Sequence, residues 1–153
     1  MIFRSAFLLS LTALVATTSA APAGSKHNIY LTRCTPTSCP IGACDPGDFG
    51  ITAAAYYSTA TSAVPASIGT IDGYQPKWEG ASKAIRLGTT TFTSAIQAAA
   101  ARAKKGDIVG DAKLGSEPFV CFKDGATTLG FTYDDTKYSC TADYWCGSVD
   151  VGK

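Results

Sequence analysis

The chain has 153 residues, with 13 lysines and arginines against 12 aspartates and glutamates. That near balance removes the electrostatic case for a nucleic-acid partner or an anionic membrane, both of which call for a basic surplus. A single histidine among six cysteines also narrows the chemistry to groups other than imidazole.

The first segment reads as a secretory leader. Arg4 supplies the positive charge, Ser5 to Ala16 is dominated by Ala, Phe, Leu and Val, and Thr17 to Ala23 turns small and polar. Cleavage is expected after Ala20 (Thr18-Ser19-Ala20) or after Ala23 (Ala21-Pro22-Ala23). About 12 apolar residues would span only ~18 Å as a helix, against a hydrocarbon core of ~30 Å. The reading is therefore a signal peptide over residues 1–20, a flexible lead-in over 21–27 and one domain over 28–153, secreted and extracellular, with no membrane partner.

Along that domain, Asn28 to Arg33 alternates Ile29 and Leu31 with Tyr30 and Thr32 and predicts a first strand. Cys34 to Gly50 is rich in Pro, Gly and Cys and reads as a loop held by sulfur. Ile51 to Thr59 is a second strand candidate, and 59–76 a long, weakly specified surface segment anchored by Ile68 and Ile71. A helix is expected from Thr93 or Ser94 to Lys105, with Phe92, Ile96, Ala99, Ala100 and Ala103 on one face and Gly106 as its stop. Strands follow over Pro118 to Lys123, Thr128 to Tyr133 and Tyr138 to Cys146, with turns at Asp124-Gly125 and Asp134-Asp135. Together these elements predict an α+β domain, a single disulfide-stapled antiparallel sheet packed with helix.

All six cysteines (Cys34, Cys39, Cys44, Cys121, Cys140, Cys146) lie after the leader and predict a disulfide framework. Three sit near each end of the domain. Complete pairing then requires at least one bridge between the two groups, leaving the rest of the connectivity open. Zinc is a poor alternative in an oxidising compartment with only His27 to join the thiols, so neither metal nor cofactor is expected.

One histidine leaves Ser-His-Asp and Cys-His nucleophiles without parts, and no carboxylate pair stands out for glycoside hydrolysis, so no catalytic residue is assigned. The aromatic residues point instead to sugar recognition. A Trp or Tyr ring stacks on the apolar face of a sugar while charged neighbours bind its hydroxyls. Tyr74 to Gly80, with Tyr74, Trp78 and Glu79, supplies that mixture in a loop, and Asp143-Tyr144-Trp145 does so near the C-terminus. Trp78 is expected to be exposed, and Trp145 packed on the disulfide of Cys146. Arg86, Lys123 and Asp124 are further polar candidates beside Tyr144.

The stretch Phe119-Val120-Cys121-Phe122-Lys123-Asp124-Gly125, then Leu129, Tyr133-Asp134, Tyr138-Ser139-Cys140 and Asp143-Tyr144-Trp145-Cys146, resembles the Y-three-like glycan-binding domain of small secreted cysteine-rich fungal proteins. The likeness covers about 30 residues. It implies an αβα-sandwich-like fold and lectin-like recognition of a glycan, of the kind bearing N-acetylhexosamine. The Cys34, Cys39 and Cys44 loop does not align with that pattern. The alternatives are a secreted effector or toxin-like protein acting on a host or competitor protein through an exposed apolar patch, and a small carboxylate-dependent glycoside hydrolase.

Overall fold

A computed structural model describes residues 25–38, 49–73 and 75–149. Its elements are nine strands: β1 (Asn28–Pro36), β2 (Ile51–Tyr57), β3 (Ser67–Ile71), β4 (Lys83–Leu87), β5 (Thr90–Ile96), β6 (Ile108–Leu114), β7 (Glu117–Lys123), β8 (Thr128–Tyr133) and β9 (Thr136–Ser148). Among the described residues the helical content is one 3-10 turn, Ala100–Arg102. The fold is thus antiparallel β, and the expected α+β sandwich with a covering helix is overturned.

The expected helix fails for a local reason. Its first half obeys a period of two: Phe92, Ser94 and Ile96 are buried, with Thr93 half-buried and Ala95 exposed between them. β-Branched and aromatic residues at that spacing fit a pleated surface. The alanine run left after Ile96 is too short to repay helix nucleation alone, and it closes one tight turn instead. β3, β4 and β6 fall in segments where no strand was expected.

The strands form one sheet in the order β3-β2-β1-β9-β7-β6-β5-β4, with β8 also paired to β9. The two end strands come together, so the sheet is barrel-like and nearly closed. Gly69 marks that seam: a Cβ there would fall 2.3 Å from the Arg86 carbonyl oxygen and 2.5 Å from Ile85 Cγ2. Only a residue without a side chain lets β3 approach the β4 backbone so closely.

The 13-residue β9 organises the whole sheet. One of its edges pairs with β1 along almost its full length, and the other pairs first with β8 and then with β7. The Asp134-Asp135 turn joins β8 to β9 with both residues at positive φ (46° and 58°), the backbone that a two-residue hairpin requires. Inside the barrel, Ile29, Leu31, Phe92, Phe119, Tyr144 and Trp78 belong to one buried cluster. A second cluster holds Tyr57, Phe131 and the Cys34 and Cys140 sulfurs.

Two disulfides tie directly opposed residues of β9 to its neighbours, Cys34–Cys140 to β1 and Cys121–Cys146 to β7. The first has a sequence separation of 106 and is the long bridge that the cysteine grouping required. Cys39 and Cys44 lie outside the described residues. Such cross-links belong to an oxidising compartment. Among the described residues no helix is long and apolar enough to cross a membrane.

The chain is already tied down at its first described residues. Ser25 Oγ donates to the Ser148 carbonyl at 3.2 Å, and His27 Nδ1 lies 2.8 Å from Glu117 Oε1. Ser148 Oγ also donates to Glu117, at 2.5 Å. These groups close one mouth of the barrel.

Candidate functional site

The opposite mouth is open and polar. Going up β7, Phe119 and Cys121 are buried, and the next residue on that face is Lys123. Along β1 the same progression takes Ile29 and Leu31 to Arg33. A period of two thus delivers a cation to the rim from each of two strands.

The third contribution comes from an irregularity. The β1–β9 register shifts between Leu31, opposite Tyr144, and Thr32, opposite Ala142, so Asp143 is the extra residue of a β-bulge. A bulge re-aims side chains locally. Here Asp143 meets Arg33, with Nε donating to Oδ2 at 2.7 Å and Nη2 to Oδ1 at 2.6 Å. The Asp143 side chain is 8% exposed and that of Arg33 65%. This two-point bond, first, and the Asp143 charge, second, raise the guanidinium pKa further above its ordinary value, with burial opposing.

The 75–80 loop covers part of this mouth. Thr52 Oγ1 donates to the Pro76 carbonyl at 3.0 Å, and Gly80 N–H donates to the Ile96 carbonyl at 2.9 Å. Pinned at both ends, the loop pushes Trp78 down into the barrel and leaves Glu79 above Tyr144. The Tyr144 hydroxyl donates a short hydrogen bond to Glu79 Oε1. Burial first, then that bond and the Glu79 charge, drive the phenol pKa far above its usual value. Lys123 Nζ sits 4.6 Å from the centre of the Tyr144 ring, a cation–π contact.

These groups border a cleft of about 370 Å³ lined by Arg33, Gln75, Lys77, Trp78, Glu79, Lys123 and Asp143, with Pro76 and Ala101. Of the residues expected from sequence, the structure brings Trp78, Glu79, Lys123 and Tyr144 together. Trp78, expected to be exposed, is 1% exposed. Its ring plugs the barrel, so it offers a sugar no open face. Tyr144 is fully buried and reaches the site through its hydroxyl.

Arg86 and Asp124 do not join the cleft. Arg86 is exposed on β4. Asp124 is buried, where its Oδ1 accepts the Ala126 and Thr127 amides at 3.1 and 3.0 Å and lies 3.6 Å from Lys105 Nζ. Its role is to shape the turn between β7 and β8. Tyr74 lies outside the described residues. Trp145 stacks on Phe122 at 4.9 Å, on the opposite side of the strand from the buried Cys146 rather than on its disulfide.

Arg33 was missed because nothing near it in the chain announces a partner 110 positions away. Its one local signal was a charge ending an apolar-alternating strand. Among the described residues no group of three or more His, Cys, Asp and Glu is arranged to hold a metal ion. Compared with protein families, curated proteins and solved structures, the chain matches none.

Proposed function

We propose that the protein is a secreted, non-catalytic glycan-binding protein that takes a sugar in the cleft at the open mouth of the barrel. The observation that carries this reading is the mutual fixing of the polar side chains there. Asp143 holds the Arg33 plane, Tyr144 holds Glu79, and Lys123 rests on the Tyr144 ring. Groups oriented before a ligand arrives bind hydroxyls without the cost of ordering them, and about 370 Å³ lies within the range of small-ligand sites. The C-terminal resemblance to fungal lectin-like domains supports the same reading and suggests N-acetylhexosamine-bearing glycans as first ligands to try. With Trp78 buried, recognition rests on hydrogen bonds more than on stacking.

Neither carboxylate suits a hydrolase as it stands. Both Asp143 oxygens accept from Arg33, and Glu79 accepts from a buried phenol, whereas a general acid must carry and release a proton. A second reading, a secreted effector or toxin-like protein working through a protein surface, has its own observation. Ile108, Phe122 and Trp145 are register neighbours across β6, β7 and β9 on the outer face, and Ile108 is 64% exposed.

A broad glycan array probed with the oxidised, folded protein tests the proposal. Saturable binding to a related set of glycans is the expected result. A blank array would overturn it and leave the effector reading in front.

A further inference from the structure

The open mouth holds five charged side chains, and they are not equally occupied. Asp143 has both oxygens engaged by Arg33, and Glu79 accepts from Tyr144. The cations keep spare capacity. Arg33 uses Nε and one Nη2 hydrogen on Asp143, which leaves both Nη1 hydrogens and the second Nη2 hydrogen facing away from it. Lys123 is held through the face of Tyr144, a contact that uses no N–H in a hydrogen bond to an acceptor. Among the described residues, neither Lys123 nor Lys77 is paired with a carboxylate.

Three cations of the cleft therefore keep donors to spare, while of its two carboxylates Asp143 is engaged at both oxygens and Glu79 at Oε1. A neutral sugar would use these donors and the remaining Glu79 oxygen, and would leave Lys77 and Lys123 without a counter-charge. A sugar carrying a carboxylate would supply the counter-charge that Lys77 and Lys123 lack, and the remaining donors of the planar Arg33 fork, backed by Asp143, match its two oxygens. We infer that the glycan taken in this cleft is acidic, its carboxylate bound between Arg33, Lys77 and Lys123. This inference rests on the glycan-binding reading and specifies its ligand class.

Calorimetric titration of the disulfide-intact protein with matched pairs tests it: trigalacturonate against its full methyl ester, and sialyllactose against lactose and sulfated lactose. At least one acid should bind about tenfold or more tightly than its uncharged counterpart, as loss of a charge-assisted bond implies. That preference should shrink with added salt, and Lys123→Gln or Lys77→Gln should remove most of it with the melting temperature held. Both lysine variants keep the Arg33–Asp143 pair, so folding and binding can be scored separately.

Equal binding of acid and neutral form, or binding confined to neutral glycans, would overturn the inference and leave the glycan reading intact. Acid binding untouched by either lysine variant would also overturn it, by placing the ligand elsewhere. Sulfated lactose binding as well as sialyllactose would replace a carboxylate site with a general anion site. Silence toward every probe, together with a blank array, would bring down both readings.

Discussion

Arg33 and Asp143 stand 110 positions apart in the chain and meet through two parallel hydrogen bonds of 2.7 and 2.6 Å. The pair forms because a bulge in β9 gives Asp143 no residue of its own opposite it on β1. It is a fixed part of the mouth, with the carboxylate inside and the guanidinium partly in water.

Arg33→Met should cost about 1–2 kcal/mol in chemical denaturation, less than a fully buried pair because the Arg33 side chain is two-thirds exposed. Most of that cost comes from leaving Asp143 without a partner. Adding Asp143→Leu to Arg33→Met should recover part of the loss. A double variant worse than the sum of the singles would show that Asp143 supports the bulge by other means.

Trp78→Ala should destabilise by about 3–5 kcal/mol, the range for emptying a buried aromatic site. A thermal melt would show it as a fall of many degrees. An unchanged melting temperature would place the ring outside the barrel, where its polar sequence neighbours suggested it would be.

The phenols of Tyr30, Tyr56, Tyr57 and Tyr144 are all raised above 10.0, in each case chiefly by burial. For a group whose folded pKa is raised, its stabilisation is complete below the unfolded value and is lost as pH climbs toward the folded one. Stability should therefore hold up to about pH 10 and fall above it. Tyr144→Phe should flatten part of that alkaline decline, as followed by denaturation midpoints at several pH values. An identical alkaline slope in wild type and variant would contradict the Tyr144 assignment.

The oxidised, denatured protein should show no thiol reactive with a colorimetric reagent, Cys39 and Cys44 included. Among the disulfides, Cys34→Ala/Cys140→Ala should cost about 1 kcal/mol more than Cys121→Ala/Cys146→Ala. Their separations of 106 and 25 residues differ by that amount in loop-closure entropy.

Gly69→Ala should destabilise by about 1–3 kcal/mol, because the new methyl would press on the Arg86 backbone carbonyl and the buried Ile85 side chain. Gly73→Ala, where nothing lies within 4 Å but φ is +110°, separates backbone strain from crowding at the seam.

The sequence is legible where short-range pattern decides structure. The alternation of Ile29, Leu31 with Tyr30, Thr32 and of Leu129, Phe131, Tyr133 with their polar neighbours marks β1 and β8, and the two-aspartate turn is where it was expected. It misleads where a segment satisfies two periods at once. Phe92 and Ile96 are four apart, which suits a helix face as well as one face of a strand, and the pairing of β5 with β4 and β6 settled the choice. β6 carries Gly110 and Asp111, both poor strand formers, and holds its place through its neighbours.

The site divides the same way. Glu79, Lys123 and Tyr144 were visible as polar and aromatic residues in suggestive company. The Arg33–Asp143 pair depends on a one-residue slip between strands from opposite ends of the chain, which no local window contains. Trp78 was misjudged because its neighbours are polar, while the loop that carries it is anchored from β2 and β5.

Among the described strands, β9 alone is hydrogen-bonded to both β1 and β7. During synthesis, β1 must therefore wait, unsatisfied along one edge, until β9 has been delivered. The Cys34–Cys140 bond can be made only after that arrival. Such long-range pairing is slow to assemble, and while it is pending the edge of β1 is open to other strands. Loss of β9 would do more than shorten this protein: it would leave two half-sheets meeting only at the seam between β3 and β4.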